Sequence, residues 1–158
     1  MFLKKQRAFS MFELIFVIVI IGILLSVALP RLMTTRDDAM IVKAKNTIAA
    51  VRGAMARERQ KRILEGNATS IKRVDSGKAD QPNKLIFDKF DGSITTSEVL
   101  EYPLITCVDK HAKGCWIRKG ENYIYRMPSS QEVHFSIKNN RFICDDTSLT
   151  SNCILLTQ

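Results

Sequence analysis

Histidine occurs only twice in this 158-residue chain, at His111 and His134. Acid–base or nucleophilic catalysis needs a base placed near a nucleophile, or a pair of carboxylates with tuned pKa values. His111 lies between two cysteines in a loop, and His134 falls on the polar face of a strand-like segment. Each reads as a surface histidine, so an enzyme tethered to a membrane has no residues to rest on, and no cofactor or metal is expected. Charge is missing from Leu14 through Leu29, sixteen residues in a row. Cysteine is missing from the first 106 residues, and aromatic residues are missing between Lys43 and Arg62, where basic ones crowd.

The uncharged run reads as a membrane span. A signal peptide would end in a small-residue cleavage site on its far side, yet Leu29 is followed by Pro30-Arg31-Leu32. Phe9 to Leu29 is 21 residues, roughly 31 Å as a helix against ~30 Å of hydrocarbon. A buried core helix of that length would need a larger domain around it. Lys4, Lys5 and Arg7 precede the run, which puts the N-terminus in the cytoplasm by the positive-inside bias. Arg31 and Arg36 weaken that bias, but Asp37 and Asp38 follow them. The C-terminal part is then exported to the periplasm.

Lysine and arginine total 24 against 16 acidic residues. Three basic residues precede the span and nine lie from Arg31 to Arg62, so twelve remain after Arg62 and face twelve acidic ones. The excess charge belongs to the N-terminal third. Ile41, Ala44, Ile48, Val51 and Met55 recur at helical spacing and form an apolar stripe. Lys43, Lys45, Arg52, Arg57, Arg59, Lys61 and Arg62 occupy the other positions. That basic face reads as solvated or facing lipid headgroups. A DNA-binding face is the alternative, weakened because strand stacking would call for interleaved aromatics. Span and stripe form one helix from Phe9 to Arg62, with Pro30 as its kink.

A polar stretch, residues 63–84, connects this helix to a region of short strands, residues 85–158. Cys115–Arg118, Asn122–Arg126, Glu132–Ile137 and Arg141–Cys144 read as an antiparallel meander, with Asn139-Asn140 as a tight turn. Val133, Phe135 and Ile137 share one face, and the stripe from Ile41 to Met55 is its cover. The expected fold is therefore α+β, one long helix packed on a small antiparallel sheet. Cys107, Cys115, Cys144 and Cys153 have three possible pairings; 107–115 with 144–153 is favoured because each pair brackets a turn. A zinc site recruiting His111 is disfavoured because neither pair has the two-to-four-residue spacing of structural zinc sites. Asp88 to Ser93 has a faint calcium-loop look without the ligand count of one. Glu65-Gly66-Asn67-Ala68-Thr69 contains an Asn-x-Thr acceptor with an acid two places before Asn67, as in extended bacterial N-glycosylation sequons.

The sequence Arg7-Ala8-Phe9-Ser10-Met11-Phe12-Glu13-Leu14 sets one carboxylate just inside the apolar run. A short basic leader, a small residue, Phe, Glu four residues later and a long apolar helix resemble the type IV pilin and type II secretion pseudopilin family. Ala8 stands where the family usually has Gly, and Gly22 and Pro30 match its helix-loosening positions. The specific resemblance runs from Lys4 to about Leu32; the rest is similar in architecture only.

The resemblance implies removal of residues 1–8 by prepilin peptidase, N-methylation of Phe9 and a membrane and assembly helix over residues 9–30, continued by an amphipathic helix over 31–62. It implies that Glu13 of one subunit meets the new amine on Phe9 of its neighbour. An ionised carboxylate in apolar surroundings costs about 2.5–3.5 kcal/mol or more unless paired. It implies an inner-membrane assembly platform, other pilin-like subunits as filament partners, and DNA or an exoprotein as cargo. The Cys144–Cys153 loop matches a disulfide-closed surface loop of related pilins and is a candidate contact for partners. Glu13 argues against the family's tip subunits, which lack it. Major secretion pseudopilins usually rely on bound calcium, which the discounted Asp88–Ser93 loop does not promise.

Overall fold

A computed structural model describes residues 10–92, 97–145 and 150–158. Helix α1, Met11–Leu64, begins where the Ser10 carbonyl accepts the Leu14 N–H at 3.1 Å. It passes through Gly22 and Pro30 without interruption. It ends as glycine-terminated helices do: Gly66, at φ 71°, turns the chain back. The Gly66 and Asn67 N–H groups then bond to the carbonyls of Ile63 and Arg62, at 3.1 and 2.8 Å. The chain forms two compact units, residues 1–36 and 37–158.

In the first unit, the apolar side chains from Met11 to Leu29 all face outward and none is buried. In the second, α1 turns amphipathic: Ala44, Ile48, Val51, Ala54 and Met55 are buried in the core, and Ile41 packs against it. The stripe of the sequence is thus the covered face of the helix.

The short strands β1, Leu85–Ile86, and β2, Leu104–Ile105, form an antiparallel pair. The main sheet consists of β3 (Cys115–Lys119), β4 (Asn122–Arg126), β5 (Glu132–Lys138) and β6 (Arg141–Cys144), antiparallel and in chain order. Lys138 pairs with Arg141 across Asn139 and Asn140, whose φ values of 52° and 59° are those a two-residue hairpin needs. Val133 and Phe135 are buried and Ile137 packs on the core, as their alternation requires. Phe87, Trp116, Tyr123, Phe135 and Phe142 form one aromatic cluster; Phe135 and Phe142 stack at 5.1 Å between ring centroids.

Three features differ from the sequence reading. The region from Leu85 to the end is not wholly β: Thr150–Thr157 forms helix α2, whose Leu156 is buried in the core. Its amphipathic signal is only two turns long, too short for periodicity to register. The polar stretch between α1 and β1 is a free loop only at its start. Ile71, Val74, Asp75 and Ala79 are all buried, because the chain folds back over the sheet. Arg62, counted with the solvated basic face, is buried, for reasons given below.

Candidate functional site

Glu13 lies in the first turn of α1, where the unpaired N–H groups and the helix dipole favour a negative charge. Ser10, three residues earlier, completes a Ser-x-x-Glu helix-start pattern, a local signal legible in the sequence. Around it Met11, Phe12, Leu14 and Phe16 are 58–84% exposed. A surface this apolar needs lipid or other helices against it. Among the described residues, nothing beyond the adjoining helix backbone comes within 4 Å of where a Cβ would stand on Gly22, so packing within the described chain does not require glycine there. Pro30 lies inside α1, and Ser26 Oγ donates to the Ile23 carbonyl at 2.7 Å. Ala8 and Phe9 lie outside the described residues.

Cys107 is joined to Cys115 and Cys144 to Cys153. The first bond closes the turn leading into β3, and the second ties β6 to α2. Of the loop 145–152, residues 146–149 lie outside the described residues, Asp145 pairs with Lys138, and Thr150 to Asn152 open α2. His111 is exposed, its N–H donating to Asp109 Oδ1 at 2.7 Å. His134 is half-buried opposite Ile124.

The polar residues of the second unit form two buried networks. Arg62 Nε donates to Glu58 Oε1 at 2.9 Å, and Arg62 Nη2 to Asp91 Oδ2 at 2.7 Å. Desolvation works against the Arg62 charge, but its bonds to Asp91 and Glu58 prevail and raise its pKa. Asp91 Oδ1 also accepts the Lys72 and Arg73 N–H groups, at 2.7 and 3.0 Å. The second network centres on fully buried Asp75. It accepts from Tyr123 Oη at 2.5 Å, Gly77 N at 2.7 Å and Arg73 Nη2 at 3.0 Å. Arg118 Nε stands 3.5 Å away, an electrostatic contact rather than a hydrogen bond. Desolvation, then the Asp75 charge, pushes the Tyr123 hydroxyl above its ordinary range, so it stays a donor. Asp88 accepts the Ser76 N–H at 2.8 Å. Asp75 thus ties the segment after α1 to β4, and Asp88 and Asp91 tie it to the chain just after β1.

Glu58 and Arg62 are four residues apart, a spacing that could have signalled the pair. Asp75 carried no such local signal. Among the described residues, no group of three or more His, Cys, Asp or Glu is placed to hold a metal ion. Asn67 is exposed just past the end of α1, its Oδ1 accepting the Thr69 N–H at 3.0 Å. Arg57 and Arg59 are exposed.

The family pattern described as the prokaryotic N-terminal methylation motif matches residues 3–29. The chain carries the N-terminal motif of type IV pilins and pseudopilins. One similar protein is the type IV narrow pilus major component PilA5 of Thermus thermophilus, 44% identical over 52 residues, 33% of this chain and 45% of that protein. Another is the type II secretion system core protein G of Escherichia coli, 43% identical over 51 residues, 32% of this chain and 35% of that protein. The chain spans less than half the length of these curated relatives. No solved structure matches it. The long N-terminal helix with a small antiparallel sheet is a pilin-like α+β fold.

Proposed function

We propose that this protein is a structural subunit of a type IV filament-like machine of the cell envelope. The observation that carries the reading is Glu13: one carboxylate in the first turn of an outward-facing apolar helix, inside the methylation motif. Prepilin peptidase cuts between Ala8 and Phe9, the new amine on Phe9 is methylated, and Glu13 of a neighbouring subunit pairs with it as the helices bundle. Pairing neutralises two charges that an apolar bundle could not hold singly. Gly22 and Pro30 loosen the helix so that it can adapt to neighbours. Before assembly the chain is held in the inner membrane with its N-terminus cytoplasmic and its second unit periplasmic. An inner-membrane platform then builds it, with other pilin-like subunits, into a filament. The work is mechanical, not enzymatic, and serves secretion, DNA uptake or adhesion. The two relatives, one from a pilus and one from a secretion system, match almost equally and favour neither.

DNA binding through the basic face is the second reading. Arg62 cannot take part, being buried and paired, whereas Lys43, Arg57, Arg59 and Lys61 are exposed and would carry it, Arg57 and Arg59 with the two guanidinium groups. Unchanged DNA binding after Arg57→Gln with Arg59→Gln would remove that reading. Asn67, exposed just past the end of α1, is proposed as an N-glycan acceptor; an unmodified peptide from the native host would dismiss it.

The test of the main reading is the intact mass of the chain from sheared surface filaments and from envelopes of the native host. A chain beginning at methylated Phe9 in the sheared fraction is the expected outcome for a surface pilin. The same chain confined to envelopes indicates a periplasmic pseudofilament. A chain beginning at Met1 in both fractions overturns the subunit reading.

A further inference from the structure

Five arginines of the second unit are buried or half-buried: Arg52, Arg62, Arg73, Arg118 and Arg126. Four of them stand against a carboxylate. Arg62 has Glu58 and Asp91, Arg73 and Arg118 share Asp75, and Arg126 has Glu132. Arg52 has no carboxylate partner among the described residues. Its Nε donates to the Phe142 carbonyl at 3.0 Å, which fixes the side chain but leaves its charge uncompensated. Burial lowers its pKa, as expected of a cation that has lost water without gaining an anion.

Arg52 lines a groove of about 420 Å³ between α1 and the edge strand β6. Met55 and Phe142, both buried, form its floor, and the exposed Ile63 lines it further along α1. Arg59 and Arg141 line it too, exposed and without a carboxylate partner among the described residues. Arg52 and Arg59 are seven residues apart on one face of α1, two turns or roughly 10 Å. Arg141 opens β6 on the opposite wall, beside Asn140. Asn140 Oδ1 accepts the Ile71 N–H at 2.7 Å, so its amide N–H groups remain as donors. Among the described residues, no acidic one lines the groove. Nearby acids are engaged elsewhere: Glu58 and Asp91 hold Arg62, and Asp145 pairs with Lys138. Glu65 lies exposed past the end of α1.

We propose that this groove binds a small amphipathic carboxylate, its ring or short chain over Met55, Phe142 and Ile63 and its head among Arg52, Arg59 and Arg141. Each part of the groove disfavours a simpler ligand. A neutral apolar molecule would leave Arg52 desolvated and uncompensated. An anion with no apolar part would gain nothing from Met55 and Phe142. A phosphate dianion would give up more hydration than a single carboxylate on entering so apolar a lining. A carboxylate matches the planar fork of a guanidinium with two parallel hydrogen bonds. The volume falls within the range of small-molecule sites, about 300–1,000 Å³. The site lies wholly within the second unit, so it stands or falls apart from the subunit reading.

The test is equilibrium dialysis of labelled phenylbutyrate against the full-length chain in zwitterionic lipid nanodiscs. Empty nanodiscs, measured alongside, subtract partition into lipid. Saturable binding of one molecule per chain is expected. Phenylbutanol keeps the ring and chain without the charge, and inorganic phosphate keeps charge without the ring. Each is expected to compete about tenfold more weakly than unlabelled phenylbutyrate, or worse. Arg59→Gln with Arg141→Gln is expected to weaken binding about tenfold or more. Ala56→Trp, which fills the groove from the α1 wall without touching a charge, is expected to abolish it. All three positions are exposed, and an unchanged urea midpoint verifies the fold of each variant. Should Ala56→Trp fail to fold, Gln60→Trp on the same wall serves in its place. Equal binding by the wild-type chain and the arginine double variant overturns the proposal. So does equal competition by phenylbutanol or by phosphate, undiminished binding with the groove filled, or no saturable binding above empty nanodiscs.

Discussion

At the scale of single residues, two charges govern two different things. Glu13 is the residue proposed to direct assembly. Glu13→Gln keeps the shape of the side chain and removes the charge that would meet the Phe9 amine. Processed chain is expected to accumulate in the membrane while the sheared-filament fraction falls at least tenfold; a wild-type yield of filaments would sink the proposed pairing. Arg62 belongs to stability. It is buried between Glu58 and Asp91, so Arg62→Gln leaves two carboxylates facing a neutral group. Breaking a buried pair from one side costs about 3–5 kcal/mol. The urea midpoint of the detergent-solubilised chain is expected to drop accordingly, whereas Arg59→Gln at the surface is expected to leave it nearly unchanged.

At the scale of elements, the C-terminal helix depends on a covalent tie. The eight residues of α2 are too few to hold a helix alone in water. Its anchors to the rest of the unit include the Leu156 side chain and the Cys144–Cys153 bond to β6. Replacing both cysteines by serine is expected to cost about 2–3 kcal/mol in the chain-entropy account. Hydrogen exchange is expected to quicken first in α2, before β3, β4 or β5. Uniform quickening across the sheet would mean that α2 instead supports the whole unit. A second element-scale constraint is the turn before β3. Gly114 has φ 66°, and a Cβ there would come within 2.5 Å of the Met40 sulfur, so the turn and α1 can approach only through glycine.

At the scale of the whole molecule, acid is expected to weaken the second unit through carboxylates held in the ionised form. Burial pushes the Glu132 carboxyl up, but the Arg126 hydrogen bond and the charges of Lys119, Arg126 and His134 outweigh it, so its pKa lies below the ordinary 4.5. Asp145 behaves alike: burial raises it, while the hydrogen bond from Lys138 and the charges of Lys138 and His134 bring it below 3.8. A pKa lowered on folding contributes stability above the unfolded value and loses it as pH falls through the folded one. The urea midpoint is therefore expected to be insensitive to these two groups above about pH 5 and to decline below about pH 4. Glu132→Gln is expected to make that decline shallower; an identical slope would exclude Glu132 as a contributor.

Local pattern carried much of this molecule. An uncharged run, a stripe at helical spacing and strict alternation in β5 are set by nearest neighbours along the chain. They determined α1, the four strands of the main sheet and the motif around Glu13, because solvent and bilayer read such patterns one element at a time. The pairing of the cysteines followed the same logic, each bond closing a short stretch of chain. What only the tertiary structure decided is where polar groups end up when distant segments meet. Arg62 looked like one more surface cation until Asp91, twenty-nine residues later, was folded against it. Asp75 meets Tyr123 across forty-eight residues, and no local pattern encodes that contact. Two-turn α2 lay below the reach of periodicity, and its place was decided by Leu156 in the core and the Cys144–Cys153 bond. Hydrophobic periodicity is a property of the chain; the neutralisation of buried charge is a property of the fold.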